Sequence, residues 1–181
     1  LEAAEYLLVA RFMMFSAVYL HRTVRIATAM LYRAMEGAIA DGTVRPERFA
    51  EMDDEEAMAA IAGSARGGPY ARALLRRQLY KEVCSIPKDG WGEKKAQALE
   101  KTLSGRLGCD IIVDYPHGFF KPVGFRVNTE TGLKPIAELS TLVQSLKKAE
   151  EDRMKLLVLS QESVRDERAD EIRELVRQAC R

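Results

Sequence analysis

Arg11, Arg22 and Arg33 stand eleven residues apart in a stretch whose other side chains are mostly apolar, RFMMFSAVYLHRTVRIATAML over residues 11–31 and onward. At about 100° per residue, eleven residues make three turns with roughly 20° of drift. On one continuous helix the three guanidinium groups would form a stripe, with Arg25 one turn from Arg22. A guanidinium is a planar, permanently charged fork that meets phosphate or carboxylate oxygens in pairs. Tyr19 and His21 share the stretch, and a tyrosine ring can pack against a sugar or a base. The chemistry offered is phosphate or nucleotide binding. The same arginines also read as ion-pair partners for carboxylates of neighbouring segments, since an unpaired charge in apolar surroundings is costly. Residue types alone leave both readings open.

Other clusters carry less. Asp53 followed by Glu56 has the spacing of a capping box and reads as a helix start rather than a cation site. Ser64-Ala65-Arg66-Gly67-Gly68 has the composition of an anion-binding nest but lacks the lysine motif of a P-loop, and reads as a connector. His117 to Pro122, with Phe119, Phe120 and Lys121, reads as a loop tip that meets a partner or effector, or whose two phenylalanines fold back onto the core. The chain has two histidines, far apart, and neither HExxH nor G-x-S-x-G. Neither a catalytic residue nor a metal-ligand set is expected within it.

The elements that position these residues follow from periodicity. Residues 2–40 read as one long helix, apolar on nearly every face and therefore buried, ending near Asp41-Gly42. Two further helices bring the all-helical part to residue 77. Beyond it, segments 79–86, 92–107, 109–115, 123–129, 136–149 and 154–160 read as β-α-β-β-α-β, followed by a charged amphipathic helix. The expected fold is α+β: a helical part over 1–77, then a ferredoxin-like lobe over 78–181. Its four-stranded sheet takes the order 4-1-3-2, with 109–115 and 154–160 at the edges. Leu139, Leu142 and Leu146 are the expected core face of the helix over 136–149.

The 181 residues carry 28 Lys and Arg against 27 Asp and Glu. That balance argues against nucleic-acid binding driven by bulk charge. The uncharged run from Phe12 to Leu20 is too short to span a bilayer, and no membrane association is expected. Three scattered cysteines make no disulfide framework, which suits a cytoplasmic setting. The chain opens at Leu1 inside helical sequence and reads as part of a longer protein. Exposed apolar side chains on the first helix, and with them self-association into a homo-oligomer, are expected.

The helix VYLHRTVRIATAML resembles the segment that follows the catalytic core in HD-superfamily phosphohydrolases, especially the deoxynucleoside-triphosphate triphosphohydrolase-like members. Arg11 stands eight residues before Tyr19, and Tyr19-Leu20-His21-Arg22 matches a Y-x-H-basic step. RRQLYKEV (76–83), CDIIVDYPHGFFKPVGFRV, IAELSTLV and MKLLVLS continue the resemblance over nearly the whole chain. It implies a metal-dependent phosphohydrolase acting on a nucleotide-type phosphate ester. The divalent metal would be held by histidines and aspartates of an N-terminal HD core upstream of these residues, and none is expected in this chain. It implies that Arg11 contacts substrate phosphate and Tyr19 packs beside the nucleoside. It places His21, Arg22 and Lys121, with Arg25 beside them, at a second, effector-type phosphate site. Leu20 stands where some members carry a polar residue that reads the base. The 78–181 lobe would serve assembly or regulation. The rival reading is a non-catalytic ferredoxin-like binding or oligomerisation module with a helical extension.

Overall fold

The computed structural model describes residues 1–116 and 125–180. The helical part comprises α1 (Glu2–Met14), a π-helical turn (Phe15–Tyr19), α2 (Arg22–Ala40), α3 (Pro46–Phe49), α4 (Asp54–Gly63) and α5 (Gly68–Leu75). The remainder runs β1 (Lys81–Pro87), α6 (Glu93–Leu107), β2 (Ile111–Asp114), β3 (Arg126–Thr129), β4 (Gly132–Pro135), α7 (Ile136–Leu139), α8 (Thr141–Arg153), β5 (Lys155–Ser160) and α9 (Glu162–Ala179). The fold is α+β.

Leu156, Leu157, Val158 and Leu159 are consecutive and all buried. Side chains on a strand alternate between faces, so such a run belongs to a strand covered on both sides. β5 is accordingly the centre of a three-stranded sheet of order β1-β5-β2, antiparallel to both neighbours. On one face Leu156 and Val158 join Ile111 and Val113 under α6 and α9. On the other, Leu157 and Leu159 join Ile112 and Tyr80 under Ile26, Ala29 and Met30 of α2. The helical part and the α/β part therefore share a core.

This sheet differs from the four-stranded ferredoxin-like one. The 155–160 strand is central, not an edge, because its two apolar faces both need cover. Residues 126–129 do not enter the sheet. They turn at Glu130-Thr131, with Gly132 at φ +108°, and pair with residues 132–135 as a separate two-stranded hairpin. The turn at Thr131-Gly132 is thus used to fold a strand back, not to lead into a helix. A split βαβ unit survives: β1 and β2 run parallel, α6 joins them, and β5 lies between.

The long helix is also broken. The Leu20 N–H donates to the Phe15 carbonyl five residues back (2.8 Å), and His21 is extended at φ −62°, ψ 130°. His21 Nδ1 accepts the Thr23 N–H at 3.3 Å and so caps α2. The two helical stretches meet at 63°. Each half packs on a different partner. Leu8 of α1 is buried with Ile136 and Val143 of α7 and α8, whereas α2 lies on the sheet. The eleven-residue arginine spacing therefore does not produce one stripe, since Arg11 and Arg22 lie on opposite sides of the break. Nor is α1 buried all round. Tyr6, Leu7, Met13, Val18 and Tyr19 are exposed, and Leu8 is the one buried residue of α1.

Small residues let α2 and the α4–α5 connection touch backbone to backbone. A Cβ added at Gly67 would lie 2.0 Å from the Ala34 carbonyl oxygen. Ser64 completes the joint: its hydroxyl donates to Asp41 (2.6 Å) and accepts the Gly67 N–H (2.7 Å). The Ser64–Gly68 segment is thus a structural connector. The same hydrogen bond, with one from Thr43 and the Arg66 N–H, holds the Asp41 carboxyl well below the usual carboxylate range. Asp53 accepts the Glu56 N–H at 2.8 Å and caps α4.

Of the expected face, Leu146 packs against the core cluster of Leu8, Ile136 and Val143, but Leu142 does not. Val143 is buried and Leu142 is 41% exposed. The short helix α7 ends at Leu139, and Ser140 restarts the chain by capping α8, its hydroxyl accepting the Val143 N–H. The apolar positions before and after Ser140 therefore do not share one helical face. Val143→Asp is expected to abolish the packing of α1 on α8, because it buries a carboxylate without a partner. Leu142→Asp should change stability by no more than about 0.5 kcal/mol. Thermal melts of the two variants check this, and equal losses would contradict the assigned face.

Candidate functional site

Arg11, Phe15 and Tyr19 recur every four residues, so they lie on one face of α1 and the π-helical turn that continues it. The Arg11 guanidinium carbon sits 4.8 Å from the Phe15 ring centroid, and the Phe15 and Tyr19 rings are 4.9 Å apart. The Arg11 Nε is buried with no hydrogen-bond acceptor, and among the described residues no carboxylate lies within ion-pair distance of Arg11. The two rings are tilted by 36°, and a half-buried guanidinium beside such a pair has the chemistry to meet an anion attached to a ring-bearing group. π-helical turns within helices are frequent at functional sites because they rotate side chains out of the regular helical register. Here the turn ends on Tyr19, which is 49% exposed.

The other arginines of the stretch are engaged by carboxylates of this chain. Arg25 and Asp114 approach to 2.6 Å, with side chains 12% and 20% exposed, and the Arg25 Nε donates to the same carboxylate at 2.8 Å. Arg33 bonds Glu100 and, at the surface, Glu36. Burial alone would lower the Arg33 pKa, but Glu100 and Glu36 outweigh it and leave it raised. The second Glu100 oxygen accepts the Val113 N–H at 2.8 Å, so one carboxylate ties α2, α6 and β2 together. Arg22 meets Glu82 at 3.5 Å in an exposed pair worth little. For Arg25 and Arg33 the ion-pair reading describes the geometry. His21 serves as a helix cap, and Lys121 lies outside the described residues, as does the loop His117 to Pro122.

A second polar joint lies at the far end of the seam. The Tyr70 and Tyr80 hydroxyls both donate to Asp110 Oδ2 at 2.7 Å. Burial first, and the carboxylate second, push both phenols well above their ordinary range. They remain donors throughout the physiological range, and the joint is structural. Among the described residues no three His, Cys, Asp or Glu side chains converge on a point that could hold a metal ion.

Phe15 is the member of the platform that sequence reasoning passed over. Its signal was available: it stands midway between Arg11 and Tyr19 at the four-residue helical repeat.

Residues 1–177 match a family model described as an HD associated region. The chain is also similar to the uncharacterized protein MJ1154 of Methanocaldococcus jannaschii, with 34% identity over 163 residues, covering 83% of this chain and 36% of that protein. The chain thus spans about a third of the length of the curated relative it matches. With nearly its full length matched, this chain belongs to the HD-associated region family, found in association with HD-domain proteins.

Proposed function

We propose that residues 1–181 complete the substrate pocket of a cytoplasmic HD-type phosphohydrolase that cleaves a nucleotide-type phosphate ester. The observation that carries this reading is the buried, unpartnered Arg11 Nε beside the Phe15–Tyr19 pair. Arg11 is the phosphate ligand and Tyr19 packs beside the nucleoside. A guanidinium beside aromatic rings suits a nucleotide phosphate in general, and the resemblance to deoxynucleoside-triphosphate triphosphohydrolase-like proteins supplies the narrower class, a deoxynucleoside triphosphate. The divalent metal would be held by an HD core outside these residues and would supply activation of water. That core also covers part of the exposed apolar face of α1, and a second copy covers the rest. Residues 78–181 act as the assembly or regulatory lobe. His21 and Arg22, both exposed at the start of α2, contribute with Lys121 to an effector-type phosphate site. Arg25 supports that site from within, through its pair with Asp114.

Three outcomes test this. In the longer protein that contains the HD core, Arg11→Met should raise KM for a nucleoside triphosphate about ten- to a hundred-fold, the effect of losing a charge-assisted contact. Its melting temperature should be unchanged, and Arg11→Lys should recover little, since an ammonium cannot reproduce the fork. A normal KM with a depressed melting temperature would make Arg11 a structural residue and end this reading.

Tyr19→Phe should be mild, because the ring supplies the packing, whereas Tyr19→Ala should raise KM severely. Equal effects of the two substitutions would point to the hydroxyl and exclude a packing role.

The 181-residue chain by itself should not turn over nucleoside triphosphates with Mg²⁺ or Mn²⁺ added, because catalysis by a metal needs ligands that fix an open coordination position. Metal-dependent turnover by this chain would falsify the division of labour.

A further inference from the structure

A groove of about 1080 Å³ lies on another part of the molecule, between the β1–α6 turn and α8. One wall is the turn Lys88–Trp91, closed by the Trp91 N–H donating to the Lys88 carbonyl at 3.0 Å, with Gly90 at φ +72°. The opposite wall is the face of α8 that carries Gln144, Lys147, Lys148 and Glu151, positions three and four apart and hence aligned. Lys155, at the start of β5, pairs in register with Pro87 and stands between the walls.

The charges lining the groove are Lys88, Lys147, Lys148 and Lys155 against Asp89, Glu151 and Asp152. Lys147 and Glu151 offset each other at 3.9 Å, both well exposed. Lys88 differs from the others. It is half-buried, with its Nζ 3.6 Å from the Met154 sulfur and 5.0 Å from the Tyr115 ring centroid. A thioether is a weak acceptor and a ring face satisfies no N–H fully. Among the described residues no carboxylate lies within ion-pair distance of Lys88. An ammonium held this way at the wall of a cavity has donors to spare for an external anion. Trp91, Val143 and Met154 add an apolar lining, which suits an organic body attached to that anion. The volume is that of a small-molecule pocket.

We propose that this groove binds a phosphorylated small molecule of nucleotide size, with its phosphate on Lys88, Lys148 and Lys155 and its organic part along Trp91. The site is separate from the Arg11 platform and stands or falls without it.

Trp91 is the single tryptophan of the chain, lines this groove, and has the Lys95 ammonium 4.4 Å from its ring centroid, so its fluorescence responds to a charged ligand bound there. Titration of the full chain with ATP and, separately, with tripolyphosphate should give a saturable change in Trp91 emission. Lys88→Met should raise both midpoints about ten-fold or more, and Arg11→Met should leave them where they are. Lys148→Glu, a substitution at an exposed position, should raise them as well, and it decides the matter if Lys88→Met melts below the working temperature. The proposal is overturned if Trp91 does not respond. It is equally overturned if sodium chloride at matched ionic strength reproduces the change, or if the folded lysine variants titrate like the parent.

Discussion

Strand β5 is the constraint on which the rest of the molecule depends. It supplies the hydrogen-bonding partner for both β1 and β2, and its four buried apolar residues project alternately into two separate cores. A strand with two apolar faces cannot sit at an edge or against solvent. It forces α6 and α9 onto one side and α2 onto the other. Fully burying each leucine contributes roughly 1.5–3 kcal/mol, so the position of this one segment outweighs any single polar contact in the chain. The polar contacts then set the angle at which the layers meet.

Those contacts cluster along the seam between α2 and the sheet. Arg25 with Asp114 and Tyr70 with Asp110 join the helical part to β2 or the residue before it, Arg33 with Glu100 joins it to α6, and Tyr80 shares the Asp110 carboxylate from the residue before β1. Pairs of this kind add little net stability when burial strips both partners of water, but breaking one leaves a costly unpaired charge. Their effect is to select one register of helix on sheet. α1 is outside that scheme. It is carried past the break at Leu20-His21 onto α7 and α8, and this leaves Arg11 with an aromatic neighbour where the arginines of α2 have carboxylates. The difference between Arg11 and its neighbours in sequence follows from which body each helix packs against.

The α+β class, the helical start of the chain, the cap at Asp53, the Thr131-Gly132 turn and most element positions were legible from periodicity and turn chemistry. The arginine-rich stretch was also legible as the place where charge meets apolar surroundings. Sheet order was not, because strand pairing is settled by competition among faces. The alternating RVNT segment satisfies a small hairpin as well as a large sheet, whereas LLVL satisfies only the interior of one. Leu142 was misplaced on the inward face of α8 for a similar local reason: Ser140 ends one short helix and begins another, so periodicity counted across it loses phase.

The sequence by itself determined the spacing: a guanidinium at position 11 stands in helical step with aromatic residues at 15 and 19. Tertiary structure decided which arginines are already satisfied. No proline or glycine marks the break before His21, so an eleven-residue spacing reads as a straight stripe until each half of the helix is seen against its own partner. Long-range contacts between α2 and the sheet neutralise Arg25 and Arg33, and the 63° bend keeps Arg11 apart from those carboxylates. An ion pair requires partners within a few ångströms. That proximity depends on residues 67 and 89 positions away, which local sequence pattern does not encode.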